Sequence, residues 1–191
     1  MKKVFSINDD EFIRGKVPMT KSEIRAITIG KLQLEENSKV IDIGAGTGAI
    51  SIEIASIVEK GKVYAIEKKD EAIELIAKNK KHFDINNLEI IKGLAPDDLK
   101  DIGGIDRVFI GGSSGNMEDI IDWSYEHLND EGKIVVNTIT IENAYKAINS
   151  LKQNEFKDID IVHVNISKGK SIGDLTMMIG TNPIYIISAK R

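Results

Sequence analysis

Apolar residues along this chain follow two rhythms that take turns. Short runs such as Val40-Ile41-Asp42-Ile43, Val63-Tyr64-Ala65-Ile66, Leu88-Glu89-Ile90-Ile91 and Val108-Phe109-Ile110 have the length and β-branched content of buried strands. Between them, apolar residues recur at helical spacing. The predicted strands are Lys39–Ile43, Lys62–Ile66, Leu88–Lys92, Ile105–Ile110 and Gly132–Val136. The predicted helices cover roughly Thr47–Val58, Asp70–His82, Met117–Leu128 and Ile141–Leu151. Ahead of these, Ile24, Ile27, Ile29 and Leu32 give one more helix an apolar face, with Thr20 and Glu23 spaced as a capping box at its start. Two final strands, Asp158–Ser167 and Pro183–Ala189, are expected to be joined by a long, glycine-punctuated connection.

Strands alternating with helices predict an α/β fold, with a mostly parallel sheet covered on both faces. The terminal pair would form an antiparallel hairpin at its edge. A length of 191 residues suits a single domain. Residues 1–32 are expected to cover the substrate and residues 33–191 to form the core.

Composition removes several chemistries. The chain has no cysteine, which excludes disulfides, thiolate nucleophiles and thiolate-held metals. Its three histidines, His82, His127 and His163, are far apart in sequence, and no ligand spacing calls for a metal. The net charge of −4 and the absence of a basic tract argue against nucleic acid as the partner. No apolar run approaches a membrane span. The basic start, Met1–Phe5, is followed by no apolar leader, so a cytoplasmic location is expected.

The chemistry concentrates after the first strand, where Asp42-Ile43 runs into Gly44-Ala45-Gly46-Thr47-Gly48. A glycine-rich turn between strand and helix lets a ligand approach main-chain N–H groups without obstruction by Cβ atoms. Glu67, at the end of the second strand, is placed to accept hydrogen bonds from both hydroxyls of a ribose. Three details favour S-adenosylmethionine over a dinucleotide. Ala49 stands where the dinucleotide pattern requires its third glycine. Asp42 would repel a pyrophosphate but can position a methionyl group. The chain also ends in a hairpin rather than a second mononucleotide-binding half. Gly93, Leu94 and Ala95 follow the third strand and could flank an adenine, while Gly111 and Gly112 follow the fourth and could leave space for a methyl acceptor.

The assembled pattern resembles the decarboxylating cobalt-precorrin-6B C15-methyltransferase family, equivalent to the C-terminal half of precorrin-6Y methylases. The likeness is carried by Asp10–Gly15, Val17–Ala26, the glycine turn, Ile110–Gly115, Val135–Glu142 and Asn182–Ile186, and so spans almost the whole chain. The glycine turn is shared by many methyltransferases. Pro18–Lys21 together with Ile110-Gly111-Gly112 is far more discriminating.

The resemblance implies a class I S-adenosylmethionine-dependent methyltransferase with a seven-stranded Rossmann-like sheet. It implies methylation at C15 of an anionic tetrapyrrole coupled to loss of carbon dioxide from the ring C acetate, and assembly as a homotetramer. Candidate cofactor residues are then Thr20, Asp42, Gly44, Gly46, Thr47, Gly48, Glu67, Gly93, Leu94 and Ala95. Candidate substrate residues are Arg14, Lys16, Met19, Lys21, Arg25, Gly111, Gly112, Asn137 and Thr138, with Lys168 and Lys170 as a second basic edge. No acid or base is singled out. An S-adenosylmethionine-dependent RNA methyltransferase and a nucleotide-binding regulator without turnover remain as alternatives.

Overall fold

The structure is a computed structural model that describes residues 6–99 and 102–191. The basic start Met1–Phe5 lies outside the described residues. Helix α1 (Ser22–Leu32) precedes strand β1 (Lys39–Ile43), helix α2 (Ala49–Ile57), strand β2 (Lys62–Glu67), helix α3 (Asp70–His82) and strand β3 (Leu88–Lys92). Strand β4 (Ile105–Ile110), helix α4 (Met117–His127), strand β5 (Leu128–Thr138) and helix α5 (Ile141–Gln153) continue the alternation. Four strands close the chain: β6 (Lys157–Val164), β7 (Ser167–Ile172), β8 (Leu175–Gly180) and β9 (Ile184–Lys190).

Seven strands form one sheet in the order β3-β2-β1-β4-β5-β9-β6. The first five run parallel, and β9 lies antiparallel to both β5 and β6. The expected mostly parallel sheet with an antiparallel C-terminal pair is therefore the observed one. Side chains alternate between two cores. Val40 of β1 and Val63 and Ala65 of β2 share one core with residues of α1, α2 and α3. Ile41, Ile43 and Ile66 share the other with residues of α4 and α5. Burial on both faces explains why these strands read as continuous apolar runs. The chain reverses its direction of growth between β1 and β4, so the carboxyl ends of those two strands open a crevice, where ligands of such sheets bind.

One expectation is corrected and one is extended. The capping box is absent: Lys21 occupies the N-cap of α1 and no side chain there caps it. The free N–H of Ser22 donates instead to Asp9 Oδ1 at 3.0 Å, so a carboxylate from an earlier segment does the capping. The long, glycine-punctuated connection before the last strand carries two strands that local pattern did not reveal. It folds as a separate two-stranded antiparallel arm, β7 with β8, turning at Gly173 with φ of 60°. Every residue of both arm strands is exposed, so the arm lacks the buried face by which a strand is recognised in sequence.

Candidate functional site

Strand β1 ends at Ile43, and its register with β4 brings two glycine segments together. Gly111 and Gly112 both donate their N–H groups to Ile43 O, at 2.9 and 3.2 Å. Gly44 adopts φ of +73°, and a Cβ there would lie 2.5 Å from Gly112 O. No side chain fits at that position, and the crevice between the strand ends is walled by main chain. Gly48 caps α2 with φ of +77°, and a Cβ on it would press on Ile76 at 3.0 Å. Its role is helix packing, and it lines neither cavity described next.

Two cavities meet at this crevice and share Pro18, Gly44, Gly46, Gly112 and Ser113. The smaller, of about 290 Å³, is lined by Glu67, Gly93, Leu94 and Ala95 together with Val17 and Ile120. Glu67 closes β2, and its carboxylate accepts from Gly46 N at 3.0 Å, Lys68 N at 2.9 Å and Lys69 N at 3.0 Å. Three main-chain donors thus hold it rigidly, and a carboxylate offering about four acceptor positions keeps room for a hydroxyl.

The larger cavity, of about 580 Å³, is lined by Met19, Thr20, Lys21, Asp42, Thr47, Gly111, Asn137 and Thr138. It also takes in Glu23 and Lys168. Asp42 is fully buried, and Ser51 Oγ donates to its Oδ2. Its other oxygen, Oδ1, is buried without a partner. Burial pushes this carboxyl up to about 7, against the Ser51 hydrogen bond, and the charge of Glu67 adds to the rise. Asn137 is held in the same way from one side. Its Nδ2 donates to Thr28 Oγ1 at 2.8 Å, which leaves Oδ1 buried and unpaired.

Buried acceptors without donors carry a desolvation penalty. Three of them line one cavity, Asp42 Oδ1, Asn137 Oδ1 and Glu23 Oε2, and form a donor-hungry surface suited to a ligand with cationic and N–H groups. A nucleoside with a charged tail fits both halves: a rigid carboxylate for a ribose hydroxyl in one lobe and an orphaned acidic oxygen in the other. No group of three or more metal-ligating side chains occurs among the described residues.

The sequence-derived candidates divide accordingly. Thr20, Asp42, Gly44, Gly46, Thr47, Glu67, Gly93, Leu94, Ala95, Met19, Lys21, Gly111, Gly112, Asn137 and Thr138 all line one lobe or both. Arg14 and Lys16 are exposed and line neither.

Arg25 is a correction. Its guanidinium is fully buried, pairs with Glu53 and Asp9 at 2.8 Å each, donates to the carbonyls of Thr20 and Ile7, and lies over the ring of Phe12. Four hydrogen bonds hold it out of reach of solvent, so it offers nothing to a substrate carboxylate. Its contribution is to fasten the N-terminal segment that carries Val17–Lys21 into the site. Ser51, Thr28 and Glu23 were not legible as site residues, because each acquires its role from a partner elsewhere in the chain.

Residues 11–191 match the family described as the precorrin methyltransferase domain. A probable cobalt-precorrin-6B C(15)-methyltransferase (decarboxylating) from Sulfurisphaera tokodaii is 42% identical over 188 residues, covering 97% of both chains. The crystal structure of a precorrin-6Y C5,15-methyltransferase from Geobacter metallireducens superposes with a TM-score of 0.92 at 37% identity, covering 97% of each chain. That of a precorrin 8W decarboxylase from Methanobacterium thermoautotrophicum gives 0.91 at 33% identity, covering 96% of this chain and 98% of that one. A glycine crevice between β1 and β4, a carboxylate at the end of β2 and this likeness along nearly the whole length agree, and the chain belongs to the precorrin methyltransferase domain family.

Proposed function

We propose that the chain methylates C15 of cobalt-precorrin-6B, or of the metal-free macrocycle, and releases the ring C acetate carboxylate as carbon dioxide, using S-adenosylmethionine. The observation that carries this reading is the pair of joined lobes: one sized and equipped for an adenosyl group, the other larger and opening beside it. Relatives named for this reaction support it over nearly the whole length. When bound, S-adenosylmethionine supplies a methyl group already activated on a sulfonium.

The protein's own residues then have positioning work to do. Glu67 would accept from a ribose hydroxyl, Gly93–Ala95 would border the adenine, and the Asp42 carboxylate, in the larger lobe, would face the cationic end. Gly111 and Gly112, lacking side chains, let a flat acceptor carbon come close to the donor, and holding the two in line supplies most of the acceleration such a transfer needs. Asn137 offers its unpaired carbonyl oxygen to an N–H group of the acceptor. Met19 gives a deformable apolar contact, and Lys21 balances peripheral carboxylates. Residues 17–24 cover the site as part of an N-terminal segment. A homotetramer belongs to the same reading, supported by Ile172, Leu175 and Met178, which the arm leaves exposed.

The test is mass spectrometry after incubation with cobalt-precorrin-6B and methyl-labelled S-adenosylmethionine. The expected product carries one labelled methyl and has lost carbon dioxide. Methyl gain with the carboxylate retained would leave a methyltransferase and remove the decarboxylation. For the cofactor lobe, Glu67→Ala is expected to weaken S-adenosylmethionine binding by roughly 10- to 100-fold, the loss of a charge-assisted hydrogen-bonded contact. Isothermal titration reads this directly, and an unchanged affinity would remove Glu67 from the ribose role.

A further inference from the structure

Lys168 lies on β7, in the arm, and Glu23 lies in the first turn of α1. The two side chains meet at 2.7 Å, and both line the larger lobe. The arm reaches them from its base, where Thr181 returns its N–H and hydroxyl to Ile166 O at 2.8 and 3.1 Å. Ile166 and Thr181 line the lobe as well, so the root of the arm forms one wall of it.

A carboxylate in a cavity meant for a polyacid is an obstacle. Glu23 is such a carboxylate, and its Oε2 is buried without a hydrogen-bond partner. Lys168 neutralises it, and that contact holds the Glu23 carboxyl below its usual range. A half-exposed ion pair of this kind is weakly held and exchanges readily. An incoming carboxylate presents lysine with the same chemistry that Glu23 does.

We infer that Lys168 is the anchor for a peripheral carboxylate of the substrate, and that Glu23 is its internal stand-in, holding the ammonium until that carboxylate displaces it. The inference rests on the function proposed above. It assigns the arm a part in the site: exchange of partners on Lys168 uncouples the arm from α1 and couples it to the substrate. It also makes Glu23 a selectivity device, because a ligand without a suitably placed carboxylate leaves the internal pair closed.

Steady-state kinetics with cobalt-precorrin-6B, alongside calorimetric titration of S-adenosylmethionine, tests this in Lys168→Met, Glu23→Gln and the double variant. Thermal melting confirms that each is folded. Lys168→Met is expected to raise the acceptor KM at least tenfold, with a much smaller change in kcat and in cofactor affinity. Glu23→Gln is expected to lower the acceptor KM several-fold, and the double variant to fall between the two single variants. An unchanged KM in Lys168→Met overturns the inference. So does a rise in KM for Glu23→Gln that matches Lys168→Met, which is the pattern of a structural clip. Absence of wild-type turnover and of wild-type binding to the macrocycle would overturn the proposed function and this inference together, an outcome separate from either variant result.

Discussion

Asp42→Asn is expected to make the cofactor-free protein more stable at pH 8 and, in the same variant, to weaken S-adenosylmethionine binding at least tenfold. Asp42 is buried, one of its oxygens has no partner, and its carboxyl is pushed from 3.8 up to about 7 by desolvation. A carboxyl whose folded value lies above its unfolded value contributes stability that is fully present below about pH 4 and is lost as the pH rises through about 7. Across that window each pH unit costs the folded state about 1.4 kcal/mol. Asparagine keeps the shape and removes the titration, so the cofactor-free variant should melt higher than wild type at pH 8 and show a flatter stability profile.

Cofactor binding has the opposite sign. A cationic ligand favours the ionised carboxylate, so wild-type affinity should strengthen from pH 6 to pH 8 and then level off. Asp42→Asn should lose both the affinity and its pH dependence. Calorimetric unfolding and titration across this range separate the two effects. An asparagine variant that binds like wild type at every pH would show that Asp42 does not face the ligand's charge.

Arg25→Met should destabilise the protein by about 3–5 kcal/mol, the usual consequence of leaving one member of a buried ion pair without its counterion. Glu53 would be the stranded group. Burial already raises its carboxyl from 4.5 despite the guanidinium beside it, and without Arg25 it rises further. By the same linkage, stability from a raised carboxyl is present at low pH and lost as pH rises through the folded value. The deficit of Arg25→Met should therefore be largest near pH 8 and shrink toward pH 4.

The same change frees Ile7, Asp9 and Thr20 from their shared cation, loosening the segment that brings Val17–Lys21 to the cavity wall. Urea unfolding gives the stability, and the double variant Arg25→Met, Glu53→Leu should recover most of it, because apolar side chains of similar size replace buried ion pairs well. If the single variant is as stable as wild type, the segment is held by its apolar contacts alone.

Much of this molecule was readable from local pattern. The apolar runs at Val40–Ile43 and Val63–Ile66 identified the central strands, because burial on both faces demands continuous hydrophobicity over a short length. The glycines after Ile43 marked the crevice, since only glycine tolerates the positive φ and the approach of Gly112. Glu67 was legible because its place depends only on where β2 stops. The arm was not legible, because β7 and β8 bury no side chain and so leave no alternation to detect.

The sequence by itself determined the strands and helices of the parallel sheet, where the glycine crevice would form and which carboxylate at the end of β2 would border it. These features depend on neighbours within a few residues. Tertiary structure alone decided the partners of the charges. Arg25 reads like any basic helix residue until Glu53 and Asp9 enclose it, and Glu23 reads like a helix cap until Lys168 arrives from the far end of the chain. Asp42 acquires its unusual proton affinity only when the sheet removes it from water. The energy of a buried charge is set by what surrounds it in space, and that is settled only when distant segments close around it.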